Sequence, residues 1–123
     1  MIVAGIGFRA SASADSLRSA LDRAAQGRAP DLIAAPADKA AAPCLTAFAA
    51  RLGVPVQAVP ADRLAAMETP TQSARVHASR GTGSVAEAAA LAAAGPGARL
   101  LTPRQISEDR QATCAAAISG ETQ

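Results

Sequence analysis

Apolar and polar residues along this chain change period several times. "MIVAGIGF" (1–8) is an almost unbroken apolar run, which reads as a strand buried on both faces that breaks at Gly5 and Gly7. "ADSLRSALDRAAQG" (14–27) switches to helical spacing, with Leu17, Ala20, Leu21 and Ala24 on one face, Ser13 as N-cap and Gly27 as terminator. "DLIAAP" (31–36) reads as a second strand stopped by Pro36. "PCLTAFAARLG" (43–53) reads as a helix with Pro43 in its first turn, Leu45, Phe48, Ala49 and Leu52 on one face, and Gly53 at its end. A third strand (54–60) and one or two helical turns (61–68) follow. Residues 69–82 show no sustained apolar period and read as a long ordered loop, a length that usually has a functional reason. "GSVAEAAALAAAG" (83–95) is the strongest helical pattern, and strands are expected at 98–103 and 111–119.

Strands alternating with helices at these lengths predict βαβ units and a single α/β domain over 1–123. The expected architecture is a three-layer α/β/α arrangement around a mostly parallel five-stranded sheet. Eight residues (103–110) separate the last two strands, fewer than a parallel crossover needs, which leaves an antiparallel fifth strand and a mixed sheet open.

Composition changes this picture mainly by exclusion. Half of the residues are hydrophobic, with alanine dominant, no Trp or Tyr, and Phe only at 8 and 48, so helices and sheet are expected to approach closely. A formal charge of +2 does not fit a nucleic-acid binder. No apolar run reaches the roughly 20 residues of a membrane span, and the apolar start reads as a strand rather than a signal peptide, so a cytoplasmic protein is expected. Cys44 and Cys114 lack metal spacing and read as small buried hydrophobes. His77, the lone histidine, gives no metal site and reads as solvent-exposed. "RGTGSV" and "GIGFRA" match neither GxxxxGK[ST] nor GxGxxG. No cofactor and no metal are expected.

Ligands of open α/β sheets bind outside the carboxyl ends of the parallel strands. Listing the connections there gives Arg9 with Ser11 and Ser13, then Asp38 and Lys39, then the long loop with Arg75, His77 and Arg80, then Thr102, Arg104, Gln105 and Ser107. Five cations on one rim point to a site that receives an anion. "RGTGSV" adds free backbone N–H groups at the positive end of a helix: Gly81 and Gly83 permit close approach, and Thr82 or Ser84 can cap. Glu87, three residues after Ser84, also fits a plain capping box.

The set "GIGFR", "ADK", "GTGSVAEAAAL" and "LLTPRQIS" resembles the cobalamin-biosynthesis family comprising CobE and the carboxy-terminal domain of CbiG. The resemblance spans nearly the whole chain and is most specific at Gly81–Leu91. It departs at Phe8, where cysteine is common, after Lys39, where an acidic residue often follows, and at Arg104, where lysine is usual. The resemblance implies a role at the corrin-ring stage of cobalamin (vitamin B12) synthesis. Its implied ligand is a polycarboxylate precorrin or corrin intermediate such as hydrogenobyrinic acid, held by Arg9, Asp38, Lys39, Gly81, Thr82, Gly83, Ser84, Glu87 and Arg104, with Gly5 and Gly7 letting backbone approach the ring. No catalytic residue is assigned. Similarity to CbiG leaves open a hydrolase-like enzyme that opens a precorrin lactone, with Glu87 or His77 as acid or base. A module that docks on other cobalamin-biosynthesis enzymes is the third reading.

Overall fold

The computed structural model describes residues 1–66, 85–95 and 97–119. Five strands, β1 (Ile2–Phe8), β2 (Leu32–Pro36), β3 (Val56–Val59), β4 (Arg99–Ile106) and β5 (Ala112–Ile118), form one sheet in the order β3-β2-β1-β5-β4. The pairs β1–β2 and β2–β3 are parallel, whereas β5 runs antiparallel to both β1 and β4. Two antiparallel steps restore the direction, so β1, β2, β3 and β4 all present their carboxyl ends on one edge. The sheet is therefore mixed, and the last strand lies inside it, between β1 and β4. The short β4–β5 connection forces the antiparallel pairing of these two strands, because five residues (107–111) suffice for a hairpin but not for a crossover.

Four helices are described: α1 (Ala14–Ala25), α2 (Pro43–Leu52), α3 (Ala61–Ala66) and α4 (Val85–Ala94). Strand alternation sorts the side chains of β1 between two layers. Ala4 and Ile6 join Leu17, Leu21, Leu45, Phe48 and Cys114 in a core under α1 and α2. Val3 joins Ala34, Val59, Ala89 and Ala92 on the opposite face, under α4.

Local signals account for the helix ends. Ser13 caps α1 by accepting from the Ser16 N–H, and Ser16 Oγ reciprocates toward the Ser13 N–H, a capping box built from two serines. Gln26 and Gly27 leave α1 with positive φ, and Gly53 (φ 70°) closes α2.

β4 departs from the expected strand 98–103, because it continues through Pro103 to Ile106. Proline lacks an N–H, but β4 is an edge strand, and the register absorbs Pro103 in a bulge. Between the pairs Thr102↔Ala116 and Gln105↔Cys114, three steps on β4 face two on β5; an earlier shift lies between Leu100 and Thr102. Arg104 and Gln105 consequently belong to the strand and not to the connection after it.

α4 sits unusually low on the sheet. A Cβ added at Gly5 would lie 2.1 Å from the Ala86 carbonyl oxygen and 2.5 Å from the Ala90 nitrogen. The helix backbone therefore occupies the space that a side chain of β1 would fill. This is the physical use of the alanine-rich composition: α4, of sequence VAEAAALAAA, has Ala86, Ala88, Ala89, Ala90 and Ala92 buried, and Ala115 and Ala117 of the neighbouring strand are buried too.

Candidate functional site at the carboxyl edge of the sheet

The carboxyl ends of β1 and β2 are tied together by Lys39. The turn after β2 is set by the Lys39 N–H donating to the Pro36 carbonyl (2.8 Å) and the Ala42 N–H donating to the Lys39 carbonyl (3.0 Å). From that turn the Lys39 ammonium reaches back to donate to the Phe8 carbonyl oxygen at 3.1 Å, with the nitrogen 5.0 Å from the centre of the Phe8 ring. A cation over an aromatic face adds attraction to the hydrogen bond. Phe8 thus has a specific role as the seat of Lys39, which its position in an apolar run did not announce. Asp38, beside it, is exposed.

Arg9 follows directly. Its N–H donates to the Gln111 carbonyl (2.9 Å), its carbonyl accepts from the Ala12 N–H (3.0 Å), and its side chain is exposed. The backbone is fixed while the guanidinium is free to reach outward. Gly7 lies one turn of the pleat below, with its absent Cβ 3.0 Å from Thr113 Oγ1 and 3.3 Å from Val85 Cγ1. The start of α4 therefore stands beside the end of β1.

Glu87, in the first turn of α4, is fully buried, and its Oε2 accepts the backbone N–H of Arg104 at 2.9 Å. Arg104 itself is half-buried. Through β5, the register sets Arg104 about level with Gly5, four residues below Arg9 and two strands away. At about 3.3 Å per residue and 4.8 Å per strand, the backbones at Arg9 and Arg104 are on the order of 15 Å apart.

Several expectations change in this geometry. Gly5 was expected to admit a ligand ring, but the space over it is filled by the backbone of α4. Glu87 was expected as a ligand contact; it is enclosed and hydrogen-bonded to β4. Thr102 does not face the rim, since it is buried and donates to the Ala24 carbonyl at 2.8 Å, satisfying an end carbonyl of α1. Ser107 is also buried: it donates to Asp109 Oδ1 and accepts from the N–H groups of Gln111 and Ala112. Asp109 in turn accepts from Ser16 Oγ at 2.6 Å, which pins the β4–β5 hairpin to the start of α1. The Ser107 and Ser16 hydroxyls hold the Asp109 carboxyl below the ordinary carboxylate range. Gly81, Thr82, Gly83, Ser84, Arg75, His77 and Arg80 lie outside the described residues.

Residues away from the rim are quieter. Burial pushes the Cys114 thiol far above the ordinary thiol range, so it carries no nucleophilic chemistry. A concavity of about 230 Å³ lies at the opposite edge, where Arg18, Asp22, Gly27 and Arg28 meet Leu52. Arg18 there is paired with Asp22 at 3.5 Å. Among the described residues no group of three or more His, Cys, Asp or Glu could hold a metal, and no helix is long and apolar enough to cross a membrane.

Known proteins place this geometry in a family. The profile of the cobalamin synthesis G C-terminus matches residues 2–117. The crystal structure of cobalamin biosynthesis protein chiG from Agrobacterium tumefaciens is similar over 98% of this chain and 100% of its own, at 35% identity and a TM-score of 0.75. CobE, a protein from the cobalamin (vitamin B12) biosynthetic pathway, is similar over 95% of this chain and 89% of its own, at 35% identity and a TM-score of 0.76. A cobalamin biosynthesis protein G homologue from Sulfolobus solfataricus shares the fold over 96% of this chain and 36% of its own, at 21% identity and a TM-score of 0.70. No curated protein matches the sequence. With the profile covering nearly the whole chain, the protein belongs to the cobalamin synthesis G C-terminus family of cobalamin biosynthesis proteins.

Proposed function

We propose that this chain binds a polycarboxylate corrin or precorrin intermediate at the carboxyl edge of its sheet, as a carrier or catalytic auxiliary of cobalamin biosynthesis. The observation that carries the reading is the placement of Arg9, Lys39 and Arg104. Arg9 and Lys39 stand at the carboxyl ends of β1 and of the turn after β2, and Arg104 stands within β4 about level with Gly5, so three segments spread three cations over a distance on the order of 15 Å. A single small anion would need them clustered. A macrocycle with acetate and propionate arms pointing in several directions suits them spread.

The fill of α4 over Gly5 supports a ligand held at the rim. It rests on the rim, beyond Phe8 and the turn that holds Lys39, and not on the face of the sheet. Lys39 exchanges the neutral Phe8 carbonyl for a carboxylate on binding, a gain because charge-assisted hydrogen bonds are the stronger kind.

A lactone-opening activity receives less support. Glu87 is enclosed and already accepts a backbone hydrogen bond, which suits a structural carboxylate better than one that exchanges protons with a ligand.

The test is a titration of the full chain with hydrogenobyrinic acid, read by corrin absorbance and calorimetry, with the mass of recovered pigment checked. The expected result is saturable binding without a mass change, weakening steeply between 0.1 and 1 M salt as the screening length falls from about 10 to about 3 Å. No spectral or thermal change up to high micromolar ligand overturns the binding reading. Retained pigment of altered mass replaces it with catalysis.

A further inference from the structure

We infer that Glu87 is a positioning residue: by capturing the Arg104 N–H it fixes where the β4 cation is presented to a ligand. This rests on the corrin-binding reading of the rim and adds a mechanism to it.

The argument starts at Pro103. The β4 bulge leaves Arg104 between the register pairs Thr102↔Ala116 and Gln105↔Cys114. An edge strand with an extra residue and a missing donor has no ladder to hold that residue in place, and its pairing can slip. The Arg104 N–H nevertheless has an acceptor, the Glu87 carboxylate at 2.9 Å.

The second observation is what Glu87 costs. It is the one fully buried charged side chain among the described residues, standing in a helix whose other buried positions are all alanine. Burying a carboxylate is unfavourable unless hydrogen bonds compensate, so an alanine here would make the simpler core. The carboxylate does what alanine cannot, which is to reach across and hold β4.

The third is the rigidity of its mount. α4 is seated on β1 through the Gly5 contact, with helix backbone where a side chain would be. A continuous chain of contacts therefore runs from β1 to α4 at Gly5, from α4 to Arg104 at Glu87, and along β1 to Arg9. Glu87 sets the backbone spacing between Arg9 at the rim and Arg104 in β4.

Two measurements test this. The first needs no ligand: amide hydrogen exchange of Arg104, followed by NMR on the full chain. The Arg104 amide is expected to be protected in the wild type and in Glu87→Gln, whose side-chain carbonyl still accepts. In Glu87→Ala it exchanges at least about tenfold faster, losing a hydrogen bond to a charged group, while the Ile6 and Cys114 amides keep their protection. An unprotected Arg104 amide in the wild type, or protection that survives Glu87→Ala, overturns the inference.

The second measurement is a double-mutant cycle for hydrogenobyrinic acid binding. Arg104→Ala is expected to weaken binding about five- to tenfold, the size of a partly exposed arginine–carboxylate contact. Glu87→Ala should weaken it equally and add nothing in the Arg104→Ala background, while Glu87→Gln restores the wild-type affinity. Losses that add independently, or a Glu87→Gln as weak as Glu87→Ala, overturn the positioning role. A wild type that protects the Arg104 amide yet binds no corrinoid overturns the binding reading and leaves the Glu87–Arg104 clamp standing.

Discussion

Gly5→Ala separates two explanations of a glycine in the central strand. If Gly5 serves ligand approach, a methyl group there leaves the fold intact and weakens binding. If it seats α4, the methyl is intolerable. The added Cβ would stand 2.1 Å from the Ala86 carbonyl oxygen and 2.5 Å from the Ala90 nitrogen, where an ordinary contact needs 3.4 Å or more. The obstructing atoms are helix backbone and the Ala90 Cβ, none of which can rotate away. α4 must lift by about 1 Å, which loosens its buried alanines against Val3 and Ala34. Overpacking costs about 1–3 kcal/mol, and a backbone obstacle puts this case near 3 kcal/mol. Unfolding entropy of roughly 2.1 cal/mol/K per residue gives about 0.26 kcal/mol/K for 123 residues, so the melting temperature falls by about 12 °C. Gly7→Ala is the internal control. It lies on the same strand and face, but its new Cβ meets Thr113 Oγ1 at 3.0 Å and Val85 Cγ1 at 3.3 Å, both side-chain atoms that can give way. The entropy removed from the unfolded chain, about 0.4–1 kcal/mol, offsets that crowding, and the shift stays within about 4 °C. With no Trp or Tyr for fluorescence, the assay is calorimetry or far-UV circular dichroism. A Gly5→Ala protein that melts within about 4 °C of the wild type refutes the seating of α4.

Asp109 gives the fold an acid-sensitive point. Its carboxyl is held below the ordinary value by the Ser107 and Ser16 hydroxyls, so its contribution is complete above the unfolded value of about 3.9 and disappears as pH falls through the lower folded value. Asp109→Asn should therefore lower the melting temperature at pH 7 and converge with the wild type near pH 2; equal gaps at both pH values would contradict the hydrogen-bond account. The two cysteines should differ in reactivity. Cys44 is half-buried, whereas Cys114 is buried with its thiol pushed far up, so a thiol reagent at pH 8 is expected to titrate one group per native chain and two after denaturation. Two fast thiols in the native protein would mean that β5 is not held in the sheet.

The elements that could be read from sequence are those whose signals are local. Ser13, Pro43 and Gly53 bound their helices because caps and terminators act within one turn, while the left-handed cap of α1 falls on Gln26, one residue before the expected Gly27. Counting residues raises the antiparallel β5 as an option, since eight are few for a crossover, and the structure has it antiparallel. The extension of β4 beyond Pro103 to Ile106 is not legible locally, because a strand tolerates an internal proline only at an edge, which is a property of the whole sheet. The site was harder for the same reason. Nothing in "ADK" shows that Lys39 spans 31 residues to rest on Phe8, and nothing local tells a hydroxyl that serves a backbone carbonyl, as at Thr102, from one that faces a ligand. The double glycine of β1 is expected to let a ligand ring approach, but the space over Gly5 is taken by α4 and that at Gly7 by the side chains of Thr113 and Val85.

That last point links composition to the placement of the site. Small residues on β1, β5 and α4 let the helix lie directly on the sheet, and a helix so placed covers the faces of β1 and β5 that a flat macrocycle would otherwise use. In the proposed reading the binding groups therefore come mainly from the connections, where side chains are long and face solvent. Arg9 and Lys39 are of this kind, at the ends of β1 and of the turn after β2. Arg104 belongs to a strand, and its bulged segment is held to α4 by Glu87 through an atom of the main chain. A hydrogen bond to the main chain fixes the backbone and leaves the guanidinium uncommitted by that bond. The same close packing that covers the sheet face therefore provides a rigid frame for Arg104 in β4 and for Arg9 at the end of β1.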